Sequence, residues 1–221
     1  MQRRTLWAAM APLACLAGVF SGSLHASTLA PTPLISEVLY DAVGGDGGAT
    51  FVELFGRPGF SLAGMTLVGV NGSDGNDYKS AALNGVIPAD GVFVIGDDGG
   101  GGSTSVPDAD LIADIDLQNG PDSLQLRSGA TVLDAIGYGD FSAAVFAGEG
   151  RAAPDVSSGA SLARLAGLPD TNDNLSDFQV LSVPTPGTVP VSSVPVPGAA
   201  WLFGSGLAVL SARSRRPRSD S

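Results

Sequence analysis

Across residues 34–187, short apolar runs are broken every few positions by Gly, Asp, Asn or Pro, and none has the spacing of an amphipathic helix. Such a chain can cover a core only by pairing strands. The predicted strands are LISEVLY (34–40), TFVELFG (50–56), MTLVGV (65–70), YKSAAL (78–83), GVFVIG (91–96), LIADIDL (111–117), SLQLR (123–127), TVLDAIGY (131–138) and SLARL (161–165). Turn signals separate them at 44–48, 71–76, 88–91, 119–121 and 128–129. There Gly supplies open dihedrals, Pro presets the chain and Asn or Asp caps it. The pattern predicts an all-β domain, a sandwich or a barrel.

Both ends of the chain carry a different message. Arg3 and Arg4, the apolar stretch 6–20 and the small-residue segment ending at Ala26 have the layout of a secretory signal peptide over residues 1–26, with Cys15 inside its apolar part. At the other end, residues 194–221 read VPVPGAAWLFGSGLAVLSARSRRPRSDS: a proline turn, an uncharged apolar run at 198–212, and Arg213, Arg215, Arg216 and Arg218. As a helix, that run would be roughly 22 Å long against a hydrocarbon layer of ~30 Å, a short transmembrane segment. The arginines hold their end in the cytoplasm, so everything before them lies outside. The prolines from Pro184 to Pro197 predict an extended linker over 188–197.

The tail motif Val194-Pro195-x-Pro197 followed by AAWLFGSGL resembles the PEP-CTERM class of bacterial sorting signals, in its VPxPA variant, over residues 194–218. The resemblance implies a Gram-negative bacterium, export by the Sec machinery, and an exosortase-type membrane enzyme that cuts near the prolines. The protein would then be transiently anchored and finally sit at the cell surface or outside the cell. The competing reading of the same residues is a permanent C-terminal anchor.

Removing both ends leaves five basic residues against 21 acids in residues 27–212, a charge of −16. Phosphates would be repelled by such a domain, and no basic stripe with aromatics is present, which excludes nucleic acid as a partner. The domain itself, residues 27–187, also lacks the single His (His25), the single Cys and both Trp (Trp7 and Trp201). A domain without His or Cys has no Ser-His-Asp or Cys-His centre, no His-containing zinc site and no disulfide. Carboxylate chemistry remains, or none.

Two glutamates interrupt predicted strands. Strict alternation places Glu37 on the face of Ile35 and Leu39, and Glu53 on that of Phe51 and Phe55. A carboxylate among apolar neighbours needs a partner or its pKa rises, and Arg164 in SLARL is a candidate partner. As an acid/base pair the two glutamates would need a separation of ~5 to 9 Å in an open cleft, as in glycosidases.

The succession ISEVLY, FVELF, SLAGMTLVGV, a Pro-x-Asp-Gly turn before VFVIGD, DLQNGPDSLQLRSGATVLDAIGYG, SGASLARL and DFQVLSVPTPG resembles the lamin-tail domain over residues 34–187. The resemblance implies an immunoglobulin-like β-sandwich with no catalytic residues, in which Glu37 and Glu53 are structural. The loops 96–110 and 139–159 depart from it. The first is glycine-rich and expected to be mobile, and both are where a variable binding surface is expected.

Calcium has scattered candidates. Asp170, Asn172 and Asn174 place oxygens at alternate positions of an EF-hand-like loop, but Leu175 stands where Gly is needed and Leu181 where the closing Glu belongs. Asp74 and Asp77, and the pair Asp97 and Asp98, are further loop candidates. Solvated turn carboxylates are the favoured reading of each of them, since Asp-rich turns are common without a metal.

The sequence therefore predicts an exported, non-enzymatic β-sandwich module that binds extracellular matrix, a polysaccharide or a protein, with no cofactor required. The alternatives are a small extracellular hydrolase using a carboxylate pair, and a calcium-binding structural protein.

Overall fold

A computed structural model describes residues 32–142 and 144–189, and the signal peptide, the 190–197 part of the linker and the sorting tail lie outside them. Ten strands and a single helical turn make up the domain. The strands are β1 Leu34–Leu39, β2 Phe51–Phe55, β3 Met65–Asn71, β4 Asp77–Ala82, β5 Val92–Asp97, β6 Leu111–Ala113, β7 Asp122–Ser128, β8 Thr131–Tyr138, β9 Ser161–Arg164 and β10 Phe178–Leu181, with α1 at Asn174–Asp177. They form a six-stranded sheet in the order β10-β9-β1-β2-β5-β6 and a four-stranded sheet in the order β4-β3-β7-β8. The fold is all-β with two sheets, as the strand rhythm predicts.

One core joins the sheets. Ile35, Val38, Val52, Leu54, Phe93 and Ile95 from the larger sheet meet Leu67, Leu124, Leu126 and Ile136 from the smaller. Tyr40, just past β1, stacks on Tyr138 of β8 with ring centroids 4.1 Å apart. Alternation along β2 and β5 explains this choice, since every second side chain points to the same face. The other face of the larger sheet carries a second apolar cluster of Leu39, Phe51, Val92, Val94 and Val106, against which Val189 packs. Both faces of the central strands are thus covered, which is why Leu34–Leu39 are all buried.

Three differences from the sequence reading have local causes, and the glycine-rich loop gains a fixed geometry. LIADIDL forms a strand only over Leu111–Ala113, because the Asp97 carboxylate accepts the Ile115 and Asp116 N–H groups and takes them out of the ladder. The closing strand β10 and the turn α1 have no apolar periodicity long enough to announce them. Loop 98–103 wraps around the Asp98 carboxylate, which accepts the N–H groups of Gly100, Gly102 and Ser103. Gly100, Gly101 and Gly102 all have positive φ there, a backbone conformation that residues with a Cβ rarely adopt. Finally, β1 is bulged at Ser36, so Ile35 pairs with Leu54 while Glu37 pairs with Glu53. The bulge separates Ile35, in the core, from Glu37 and Leu39, on the outer face; strict alternation fails at that residue.

Candidate functional site

Glu37 and Glu53 are cross-strand partners on the outer face of the larger sheet, and their relative exposures are only 1% and 0%. Neither has a salt bridge among the described residues. Hydroxyl and amide donors instead surround them. Glu37 Oε1 accepts from the Ser161 hydroxyl of β9 and from the Thr185 N–H at 2.9 Å, and Oε2 accepts from the Thr185 hydroxyl at 2.8 Å. Glu53 Oε1 accepts from the hydroxyl of the bulge residue Ser36 at 2.7 Å, and Oε2 accepts from the Gly187 N–H at 2.8 Å. The bulge therefore has a use: the extra residue brings a hydroxyl to the neighbouring strand's carboxylate.

Thr185 and Gly187 belong to a strap, residues 182–189, that follows β10 and closes over the pair. Burial pushes the Glu53 carboxyl up to about 7, against the pull of the Ser36 and Gly187 donors, and the Glu37 charge adds to the rise. Two open clefts at the surface are lined by other residues, one around Asn71, Asp122 and Asp140 and one around Asp90, Asp108 and Asp110. Neither glutamate lines them, and with so little surface exposed the pair has no opening through which a substrate could approach.

Arg164 is the partner of neither glutamate, which corrects that expectation. Its side chain points to the inner face of β9, where it is fully buried and lies 4.6 Å from the centroid of the Phe178 ring. Its Nη2 donates to Asp134 at 2.6 Å and its Nη1 lies 3.5 Å from Asp177. Its Nε donates to the Ile35 carbonyl at 2.8 Å, while the Ile35 N–H donates to the second oxygen of Asp134. Strand β9 pairs with β1 only at Glu37 and Val38, so the ion pair completes the backbone bonding of Ile35 where the ladder stops. The reason sequence alternation misassigns Arg164 is that a residue's face depends on register with its neighbour, and register is not local.

Among known proteins, a scan of family models, a search of curated proteins and a search of solved structures each found no match to this chain. The domain's chemistry thus rests on its own geometry.

Of the calcium candidates, Asp170 joins Asp134 and Glu149, and one oxygen from each lies within 4.8 Å of the others. The buried Asn174 is spent on structure: its Oδ1 accepts the Gly137 and Glu149 N–H groups and its Nδ2 donates to the Ala135 carbonyl. Asp77 is held by the Arg127 guanidinium through both oxygens, and Asp74 accepts the Asn76 N–H. Asp97 and Asp98 cap the loops described above. The trio of Asp134, Glu149 and Asp170 has the hard oxygen donors that divalent cations favour, yet Arg164 already supplies a positive charge to Asp134. Burial lifts the Glu149 carboxyl to about 7, with the charge of Asp134 next in importance. Sequence reasoning missed Asp134 and Glu149 because they are far from Asp170 along the chain and lie in no motif.

The sorting residues Val194, Pro195, Pro197, Arg213, Arg215 and Arg216 lie outside the described residues. Within the described residues, no helix is long and apolar enough to cross a membrane.

Proposed function

We propose that this chain is an exported, non-enzymatic module of the lamin-tail type, an immunoglobulin-like β-sandwich, whose tail is recognised by an exosortase-type enzyme. After Sec-dependent export the apolar segment 198–212 holds it in the membrane. Processing near Pro195 and Pro197 then leaves the domain at the cell surface or in the medium. There it binds a matrix polysaccharide or a protein.

One observation carries the non-enzymatic part. The paired glutamates Glu37 and Glu53 are buried and saturated with donors, three of them from the strap, so they do structural work at the base of the tail. A general acid/base pair needs an open approach for substrate, and this pair is buried. Support for export comes from the two terminal segments and from the absence of Cys and His between them. The Asp-rich surface is in keeping with a domain that stays soluble outside the cell.

The test is the intact mass of the native protein in medium, cell-surface and inner-membrane fractions. A species beginning near Ser27 and ending near Pro197 is expected in the first two. Recovery of the arginine-bearing tail solely in the inner membrane overturns the sorting reading. For the enzymatic alternative, Glu53→Ala is expected to lower the melting temperature, since it leaves the Ser36 hydroxyl and Gly187 N–H unpaired; loss of a hydrolytic activity with an unchanged melting temperature would overturn the non-enzymatic reading.

A further inference from the structure

The strap is the last described segment of the domain, and it leads directly into the proline-rich linker. Its fastening is concentrated on two acids. Thr185 uses its N–H and its hydroxyl on Glu37, and Gly187 uses its N–H on Glu53. Beneath the strap lies the outer apolar cluster of Leu39, Phe51, Val92, Val94 and Val106, with Val189 set against it.

From this geometry we propose that Glu37 and Glu53 form a proton-operated clasp, which fastens the root of the C-terminal tail to the domain and lets it go as the surroundings become alkaline. The clasp concerns the domain itself and stands whether or not the tail is sorted as proposed above.

The reasoning is electrostatic. Two carboxylates lie on register partners, buried from water, with no cation paired to either among the described residues. If both ionise they repel each other across a medium of low dielectric, and only the hydroxyl and amide donors offset this. The other titratable groups near the strap are also acids. From the β5 side, Asp90 and Asp110 cap the N–H groups of Val92 and Val94, and Asp108 lies against Gly187. Strand β9 contributes Ser161 and Ala163, and the strap only Ser, Val, Pro, Thr and Gly, so neither brings a titratable group.

A proton on Glu53 removes one of the two charges. Its carboxyl is shifted from an ordinary 4.5 to about 7 when the strap is closed. Lifting the strap lets water reach the acid and returns it toward the ordinary value. Closure is therefore fully favoured below about 4.5, and the advantage drains away as pH rises through about 7. Release would free residues 183–189, about 20 Å of extended chain, and would uncover Phe51 and Val94. The domain would stand further from its anchor and present a new apolar face.

The experiment is amide hydrogen exchange by NMR on the full chain in detergent, expressed as protection factors so that the intrinsic pH dependence of exchange cancels. Protection at Thr185 and Gly187 is expected to lie below that at Ile95 and Leu126 at every pH, and to fall on the order of 10²-fold between pH 5 and pH 8. In Glu53→Gln, a neutral stand-in for the protonated acid, the fall is expected to vanish. Strap protection that does not change in the wild type, or that falls equally in Glu53→Gln, overturns the clasp. So does strap protection equal to that at Ile95 and Leu126 throughout, since the strap would then open only with global unfolding. Should Glu53→Gln fail to fold, the carboxyl 13C shift of Glu53 in the wild type decides: titration near 7 supports the clasp, and titration near the ordinary 4.5 overturns it.

Discussion

Asp134 of β8 and Arg164 of β9 belong to different sheets, and their fully buried carboxylate and guanidinium meet at 2.6 Å. The pair sews the sheets together and also serves both backbone groups of Ile35, one through each partner. Removing one member should leave a buried, unpaired charge and stranded backbone groups. Arg164→Met is expected to cost about 3 to 5 kcal/mol in urea unfolding, and the double variant with Asp134→Leu should be more stable than Arg164→Met alone. If the double variant is the worse of the two, the pair is worth more than its charges.

Glu149 gives a pH prediction of definite sign. An acid held near 7 by burial and by the Asp134 charge is protonated in the folded state while still ionised in the unfolded chain. Its contribution is fully present below about 4.5 and is lost as pH rises through about 7. Glu149→Gln should therefore gain melting temperature relative to the wild type between pH 5 and pH 8. Parallel melting curves for the two proteins across that range would contradict the burial of this carboxyl.

Asn174 is a small residue with a large role. Its amide serves Gly137, Glu149 and Ala135 at 2.8 to 2.9 Å, joining α1 to β8 and to the long loop before β9. Asn174→Ala strands two N–H groups and a carbonyl, with an expected cost of about 3 kcal/mol, whereas Asn174→Asp keeps the acceptor but sets a buried negative charge against the Ala135 carbonyl, a larger cost at neutral pH. Chemical denaturation of the two variants should rank them in that order.

Gly72 packs against backbone that has nowhere to move. A Cβ at this position would overlap the Pro121 carbonyl oxygen. The adjacent Gly72 N–H also donates to the buried Asp122 at 2.7 Å, so the loop cannot swing away without losing that bond. Gly72→Ala should cost about 3 kcal/mol by thermal unfolding, while Gly129→Ala, with no atom near its would-be Cβ, should cost less.

Most of the strands are legible in the amino-acid pattern. Strands β2, β5 and β8 lie within one residue of their apolar runs, because each run is bounded by Gly, Pro or Asp turns that act locally. The difficulty of a buried acid at Glu37 and Glu53 is equally visible, since a charge among apolar neighbours stands out in a linear pattern. Its resolution is not. The donors come from Ser36, Ser161, Thr185 and Gly187, and the last three lie far from the acids in the chain.

Composition and turn-bounded runs are properties of the chain alone, and they suffice for the class of fold and for the chemistry ruled out between residues 27 and 187. The partners of the buried polar groups come from tertiary folding. One bulge at Ser36 turned Glu37 to the outer face, register carried Arg164 to Asp134, and folding brought Asp170 beside Glu149. Each outcome depends on how strands and loops distant in the chain come together, and a single residue's slip in pairing moves a side chain from one face of a sheet to the other.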